Sequence, residues 1–249
     1  DNRVAAQGNK LWHFTLTLWY GRWDVTKNLE RFEQEWDRRH ALRNQTTSSS
    51  TEEIGESRYQ DWGESLDIEV LYGRTSEQAE LKNWILQDCC RLIMLLGVGG
   101  IGKTTLSIQI AEQVQNEFDY VIWRSLRNAR SFIDLLKEVI LALSSQQATD
   151  LPNSVDELIH DLLKYLRDSR SLLVIDNIES LLQGNRQAGI YKEGYEGYGQ
   201  LLRTIGETKL KSCLLITSRE RPRSLAERQS EKSRIRLLAL DALSLVSCQ

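Results

Sequence analysis

From about residue 91 onward, short apolar runs alternate with stretches in which apolar residues recur every three or four positions. RLIMLLG (91–97), YVIWRSL (120–126), SLLVIDN (171–177), CLLITSR (213–219) and IRLLAL (235–240) are nearly continuous in apolar character. That is the pattern of strands covered on both faces of a parallel sheet. Between them, Leu106, Ile110, Ala111 and Val114 share one helical face, as do Phe132, Leu135, Leu136, Val139, Ile140 and Leu143. A third helical pattern carries Val155, Leu158, Ile159, Leu162, Leu163 and Leu166, entered through Pro152 and the capping box Ser154-Val155-Asp156-Glu157. Strand and helix in regular succession, joined by right-handed crossovers, predict a three-layer α/β domain with a parallel sheet.

The pattern differs before this region. In residues 1–43, Leu29, Phe32 and Trp36 fall at helical spacing behind the capping residue Thr26, and Gly21 breaks the run. A small N-terminal helical segment, a helix pair, is expected there. Residues 44–65, NQTTSSSTEEIGESRYQDWGES, have the composition of a polar linker. The α/β domain is therefore expected to span 66–249.

Composition narrows the classes. With 41% hydrophobic and 27% charged residues in 249, the chain is globular in character, which disfavours wholesale disorder and collagen-like or disulfide-scaffold classes. A net charge of −3 supplies no global basic field of the kind that coats nucleic acid, so a nucleic-acid role would have to be local. Cys89, Cys90, Cys213 and Cys248 show no metal-ligand or disulfide spacing, and a reducing, cytoplasmic compartment is expected. Neither a leader nor an apolar run approaching the ~18 residues of a membrane span is visible, so export and membrane insertion are not expected.

The chemistry enters directly after the first apolar run. Gly97, Val98, Gly99, Gly100, Ile101, Gly102, Lys103, Thr104 and Thr105 satisfy G-x-x-x-x-G-K-[ST] and lead into an amphipathic helix, which is the context a phosphate-binding loop requires. The glycines allow successive backbone N–H groups to curl around an anion, and the following helix turns its positive end to the same place. Lys103 adds a charge for the β and γ phosphates, and the Thr104 hydroxyl suits Mg²⁺. Asp176 closes the run LLVID, the position from which a carboxylate holds that metal, so Thr104 and Asp176 are the candidate metal ligands. The sequence lacks both an Asn-Lys-x-Asp guanine reader and an LSGGQ-type signature. ATP or ADP with Mg²⁺ is the expected cofactor.

GVGGIGKTT, FDYVIWRSL, SLLVIDN and CLLITSR, in this order, resemble the NB-ARC (AP-ATPase) branch of the STAND signalling NTPases, with greatest similarity to the module in bacterial, cyanobacterial-type WD-repeat proteins. The resemblance covers about residues 61–243. It implies a P-loop NTPase sheet of order 5-1-4-3-2, counting the five runs in sequence. It also implies that LYGR places Tyr72 and Arg74 at the adenine side and that Arg219 is the γ-phosphate sensor. Asn177 stands where many members carry an acid, and an amide cannot accept a proton from water, which leaves Glu179 as the nearby candidate base. The family's winged-helix region, its MHD-type histidine and C-terminal repeats are not in the sequence, so the chain is expected to be a fragment or a truncated relative.

Two functions follow as expectations. One is an ATP/ADP-binding signalling switch with slow or no hydrolysis, a weak Mg²⁺-dependent ATPase at most, working with protein partners or further domains and able to oligomerise on ATP. The other is a DNA-binding or regulatory adaptor that uses the N-terminal helices and the stretch from Arg203 to Arg236, which holds ten basic and four acidic residues. The tyrosine-glycine run 191–200 reads as a loop.

Overall fold

The computed structural model describes residues 58–63, 73–148, 150–184, 189–225 and 234–241. The expected N-terminal helix pair, Tyr72, Cys248 and most of the 44–65 stretch lie outside them. Along the chain the elements are β1 (Tyr59–Asp61), α1 (Thr75–Leu86), β2 (Leu92–Leu96), α2 (Lys103–Val114), β3 (Tyr120–Ser125), α3 (Phe132–Leu143), α4 (Val155–Asp168), β4 (Ser171–Asp176), α5 (Glu196–Glu207), β5 (Cys213–Ser218) and β6 (Ile235–Ala239), with short 3₁₀ turns between some of them.

All pairings in the sheet are parallel. The strand order is β1-β3-β4-β5-β2-β6. Read from the β6 edge, the five strands expected from the apolar runs stand in the order 5-1-4-3-2. The addition is β1, which falls in the stretch whose polar composition reads as linker. A three-residue edge strand needs no apolar run, because only one side of it is paired. It is held by Tyr59 N–H donating to Asp119 O at 2.8 Å and by Asp61 reaching Arg124 at 2.5 Å.

Side chains of the central strands alternate between two apolar layers, as the period of two demands. Leu92 and Met94 of β2, Leu173 and Ile175 of β4, and Leu214 and Ile216 of β5 meet α3, α4 and α5 on one face. Ile93 and Leu95, Leu172 and Val174, and Cys213 and Leu215 meet α1 and α2 on the other. Every residue of β4 and β5 is buried, which explains why these runs carry no polar alternation. Cys90 and Cys213 are buried free thiols packed in that second layer, whereas Cys89 is exposed. Among the described residues no helix is long and apolar enough to cross a membrane.

Two local expectations need correction, and one helix was not expected. Ser154 is the N-cap residue of α4, but its side chain makes no capping hydrogen bond; the acidic first turn, Asp156 and Glu157, faces the positive helix end instead. The run 191–200 is not wholly loop, since α5 begins at Glu196. Two of its glycines are there for contact: a Cβ on Gly197 would lie 2.3 Å from the Phe132 ring, and one on Gly199 2.7 Å from the Tyr191 ring. Its tyrosines fasten the segment after β3, with the Tyr195 and Tyr198 hydroxyls donating to Ala129 O at 2.8 Å and Arg130 O at 2.9 Å. The helix α1 was not foreshadowed by the apolar pattern, because only Leu81 and Ile85 of its twelve residues are buried.

Candidate functional site

The crevice at the carboxyl ends of parallel strands is where an open α/β sheet binds ligands. Here β2, β4 and β5 end together: Leu96 is in register with Ser218, and Ile175 with Ile216. The chain leaving β2 forms the glycine-rich loop and enters α2 at Lys103, with Gly102 as N-cap at φ 98°, a left-handed backbone that suits glycine. Leu106 N–H donates to Gly102 O at 2.9 Å to start the helix, and Gly97 N–H donates to Ser218 O at 3.2 Å to fasten the loop to β5. Val98, at the loop's outer turn, is 69% exposed, the largest exposed apolar side chain among the described residues.

Lys103 is buried and folds back over the loop, its Nζ donating to Gly97 O at 2.8 Å and Val98 O at 3.1 Å. Burial holds its ammonium below the usual lysine range; Arg219 acts the same way, while Glu179 and Asp176 oppose the shift. Thr104 and Asp176, predicted to share a metal, are brought together: Thr104 Oγ1 donates to Asp176 Oδ1 at 2.8 Å. Asp176 is 1% exposed. The same carboxylate oxygen accepts the Thr217 hydroxyl at 2.6 Å, and Thr217 Oγ1 in turn accepts Asn177 N–H at 3.0 Å.

Thr217 is the residue that sequence reasoning missed. Its signal was a polar side chain inside the otherwise apolar run CLLIT, one position beyond the partner of Ile175. Asn177 occupies a left-handed turn at φ 63°, a conformation in which asparagine and aspartate are enriched among non-glycine residues.

Glu179 lies in the 3₁₀ turn Ile178–Leu181. Its Oε1 is 3.1 Å from Arg219 Nε. Arg74, the N-cap residue of α1, is 3% exposed, and its guanidinium is committed to Glu77 Oε1 at 2.6 Å, Ile101 O at 3.3 Å and Asp241 O at 2.7 Å. Its contacts therefore brace the glycine-rich loop against the end of the sheet. Thr105 follows Thr104 in the first turn of α2, and Ile101 packs its side chain on the layer of α1 and α2.

Comparison with known proteins gives two family matches. Residues 74–242 match the NB-ARC domain, and residues 1–38 match effector-associated domain 4. A WD repeat-containing protein of Nostoc sp. is 48% identical over 191 residues, 74% of this chain and 15% of that protein. A probable disease resistance protein of Arabidopsis thaliana is 31% identical over 96 residues, 37% of this chain and 11% of that one. This chain thus spans less than a fifth of the length of either relative. Among solved structures, Cdc6p from Pyrobaculum aerophilum is similar with a TM-score of 0.47 and 18% identity, over 72% of this chain and 48% of that one.

Proposed function

The chain belongs to the NB-ARC family, and from that premise we propose that its α/β domain is an ATP/ADP-binding signalling switch that hydrolyses ATP slowly or not at all. One observation carries the reading. The Thr104 hydroxyl and the Asp176 carboxylate meet at 2.8 Å beside a loop whose backbone curls into the first turn of α2. Hard oxygen donors in this pairing suit Mg²⁺. Thr104 and Asp176 would hold the ion together with phosphate oxygens. When bound, Mg²⁺ supplies charge neutralisation between adjacent phosphates.

The chain's own groups supply the rest. Backbone N–H groups of residues 98–104 and the start of α2 offer an anion cradle. Lys103 exchanges the carbonyls of Gly97 and Val98 for phosphate oxygens, a trade of neutral acceptors for charged ones. Thr217 fixes the rotamer of Asp176 by giving it a second hydroxyl donor. Water activation is poorly served at position 177, since the Asn177 amide takes no proton. General-base help is worth ~10² to 10⁴ in rate, so turnover well below the ~10 s⁻¹ enzyme median is expected.

The signalling part of the reading is supported by the adjacent effector-associated match in residues 1–38 and by the names of the relatives. Protein partners, oligomerisation on ATP and a cytoplasmic setting belong to the same proposal. Its test is Mg²⁺-nucleotide binding by the full chain and by Lys103→Ala. The variant is expected to fold and to lose affinity for both ATP and ADP by at least tenfold, as charge-assisted phosphate contacts are removed. Unchanged affinities in a folded variant would remove the assignment.

A further inference from the structure

Arg219 and Glu179 stand at the mouth of the phosphate loop. Arg219 follows the last residue of β5, and its guanidinium lies over Gly99, where an added Cβ would be 3.1 Å from Cζ, 3.3 Å from Nη2 and 3.4 Å from Nε. The arginine side chain is 65% exposed and Glu179 only 15%. The second oxygen of that carboxylate, Oε2, is buried without a hydrogen-bond partner. A cation is therefore held against an anion cradle by a carboxylate through a single contact of 3.1 Å.

Backbone N–H groups of such a loop take the inner phosphates, which leaves the outermost one to the cations at its mouth. A phosphate group offers a guanidinium two parallel charge-assisted hydrogen bonds, more than the one contact that Glu179 gives. We propose that Glu179 is a positioning residue that retains Arg219 until a terminal phosphate of a nucleoside triphosphate draws it off, and so sets the preference for triphosphate over diphosphate. A diphosphate ends short of Arg219 and leaves the pair closed. In this role Glu179 acts through Arg219. This inference rests on the reading of residues 97–105 as a nucleotide cradle.

The experiment is competitive displacement of a fluorescent nucleotide from the full chain in Mg²⁺, read as the ratio of the ADP Kd to the ATP Kd. Glu179→Gln keeps the side chain's shape and removes its charge. ATP binding should tighten about fivefold and ADP binding less than about twofold, the range of a partly exposed ion pair. Arg219→Ala should bring the ratio toward one, and Glu179→Gln should then be silent in that background. A ratio unmoved by Glu179→Gln, or moved equally with and without Arg219, overturns the proposal. Should Glu179→Gln fail to fold, Glu179→Asp, which shortens the reach to Arg219, must raise the ratio in the same direction. If Lys103→Ala weakens both nucleotides while Glu179 variants leave the ratio alone, only the role of Glu179 falls. If Lys103→Ala changes neither affinity, the cradle reading fails and this inference with it.

Discussion

Two arginine-carboxylate clusters sit at the carboxyl end of the same sheet, and they differ in how much of the molecule closes over them. Arg124, in β3, is 5% exposed and is surrounded by Asp61 Oδ2 at 2.5 Å, Glu138 Oε1 at 2.6 Å and the Trp123 carbonyl at 2.7 Å, while Glu138 also pairs with Arg130. Arg219, after β5, is 65% exposed and has Glu179 at 3.1 Å. Enclosure makes the first a fastening of the fold, because removing one partner strands charge in low dielectric. Exposure lets the Arg219 guanidinium change partners at smaller cost, since water reaches it freely, although Glu179 is the enclosed half of the pair. The same pairing therefore serves architecture at one place and, in the function proposed above, ligand response at the other.

The comparison breaks most readily at Arg124. Arg124→Met should cost about 2–4 kcal/mol of unfolding free energy in a urea titration, somewhat under the fully buried case because Asp61 and Glu138 keep some access to water. A cost below about 1 kcal/mol would erase the distinction. Between the two clusters stands Thr217→Val, which takes a donor from Asp176 and an acceptor from Asn177 N–H. It should lower stability by about 1–2 kcal/mol in the same titration and weaken the Mg²⁺-dependent part of nucleotide affinity.

Acid supplies a finer test. Burial works to raise the Asp61 carboxyl, but the Arg124 hydrogen bond and charge, with Gly63 N–H, hold it below the ordinary value of 3.8. A carboxyl depressed on folding adds stability that is present above its unfolded pKa and is lost as pH falls through the folded one. The fall in Tm as the pH drops below about 4 should therefore be shallower in Asp61→Asn than in the parent, by differential scanning calorimetry. The smallest effect belongs to Arg219→Ala, which should change unfolding free energy by about 1 kcal/mol or less, because the guanidinium it removes is exposed although the Glu179 carboxylate it uncovers is mostly enclosed. A larger loss would give Arg219 an architectural role as well.

What could be read beforehand follows the range of the forces concerned. The five long strands, the three helices α2, α3 and α4 and the loop with Lys103 and Thr104 are written in local periodicity and a contiguous motif, so they were legible. Asp176 was legible from its place after a buried run. The pairing of Thr217 with Asp176 depends on two strands lying side by side, and a single threonine in an apolar run does not announce its neighbour. Arg74 reaches Asp241 across 167 positions of chain, and no local pattern encodes such a contact. For β1, the information lies in Arg124, which needs a carboxylate beside it, more than in the polar segment that provides one.

The short edge strand also has a mechanical meaning. It is joined to the sheet by three residue pairs, Tyr59 with Tyr120, Gln60 with Val121 and Asp61 with Ile122, and by the bridge from Asp61 to Arg124. Tension applied to the chain ahead of residue 58 would load this ladder before it loads β2 or β4, whose strands carry five and six residues and are flanked on both sides. Peeling β1 away would expose Arg124 and withdraw Tyr59, with the adjoining Trp62, from the rims of the two apolar layers, leaving the buried residues of both in place. The sheet edge would thus work as a fuse, yielding at one short strand and sparing the strands that flank the glycine-rich loop.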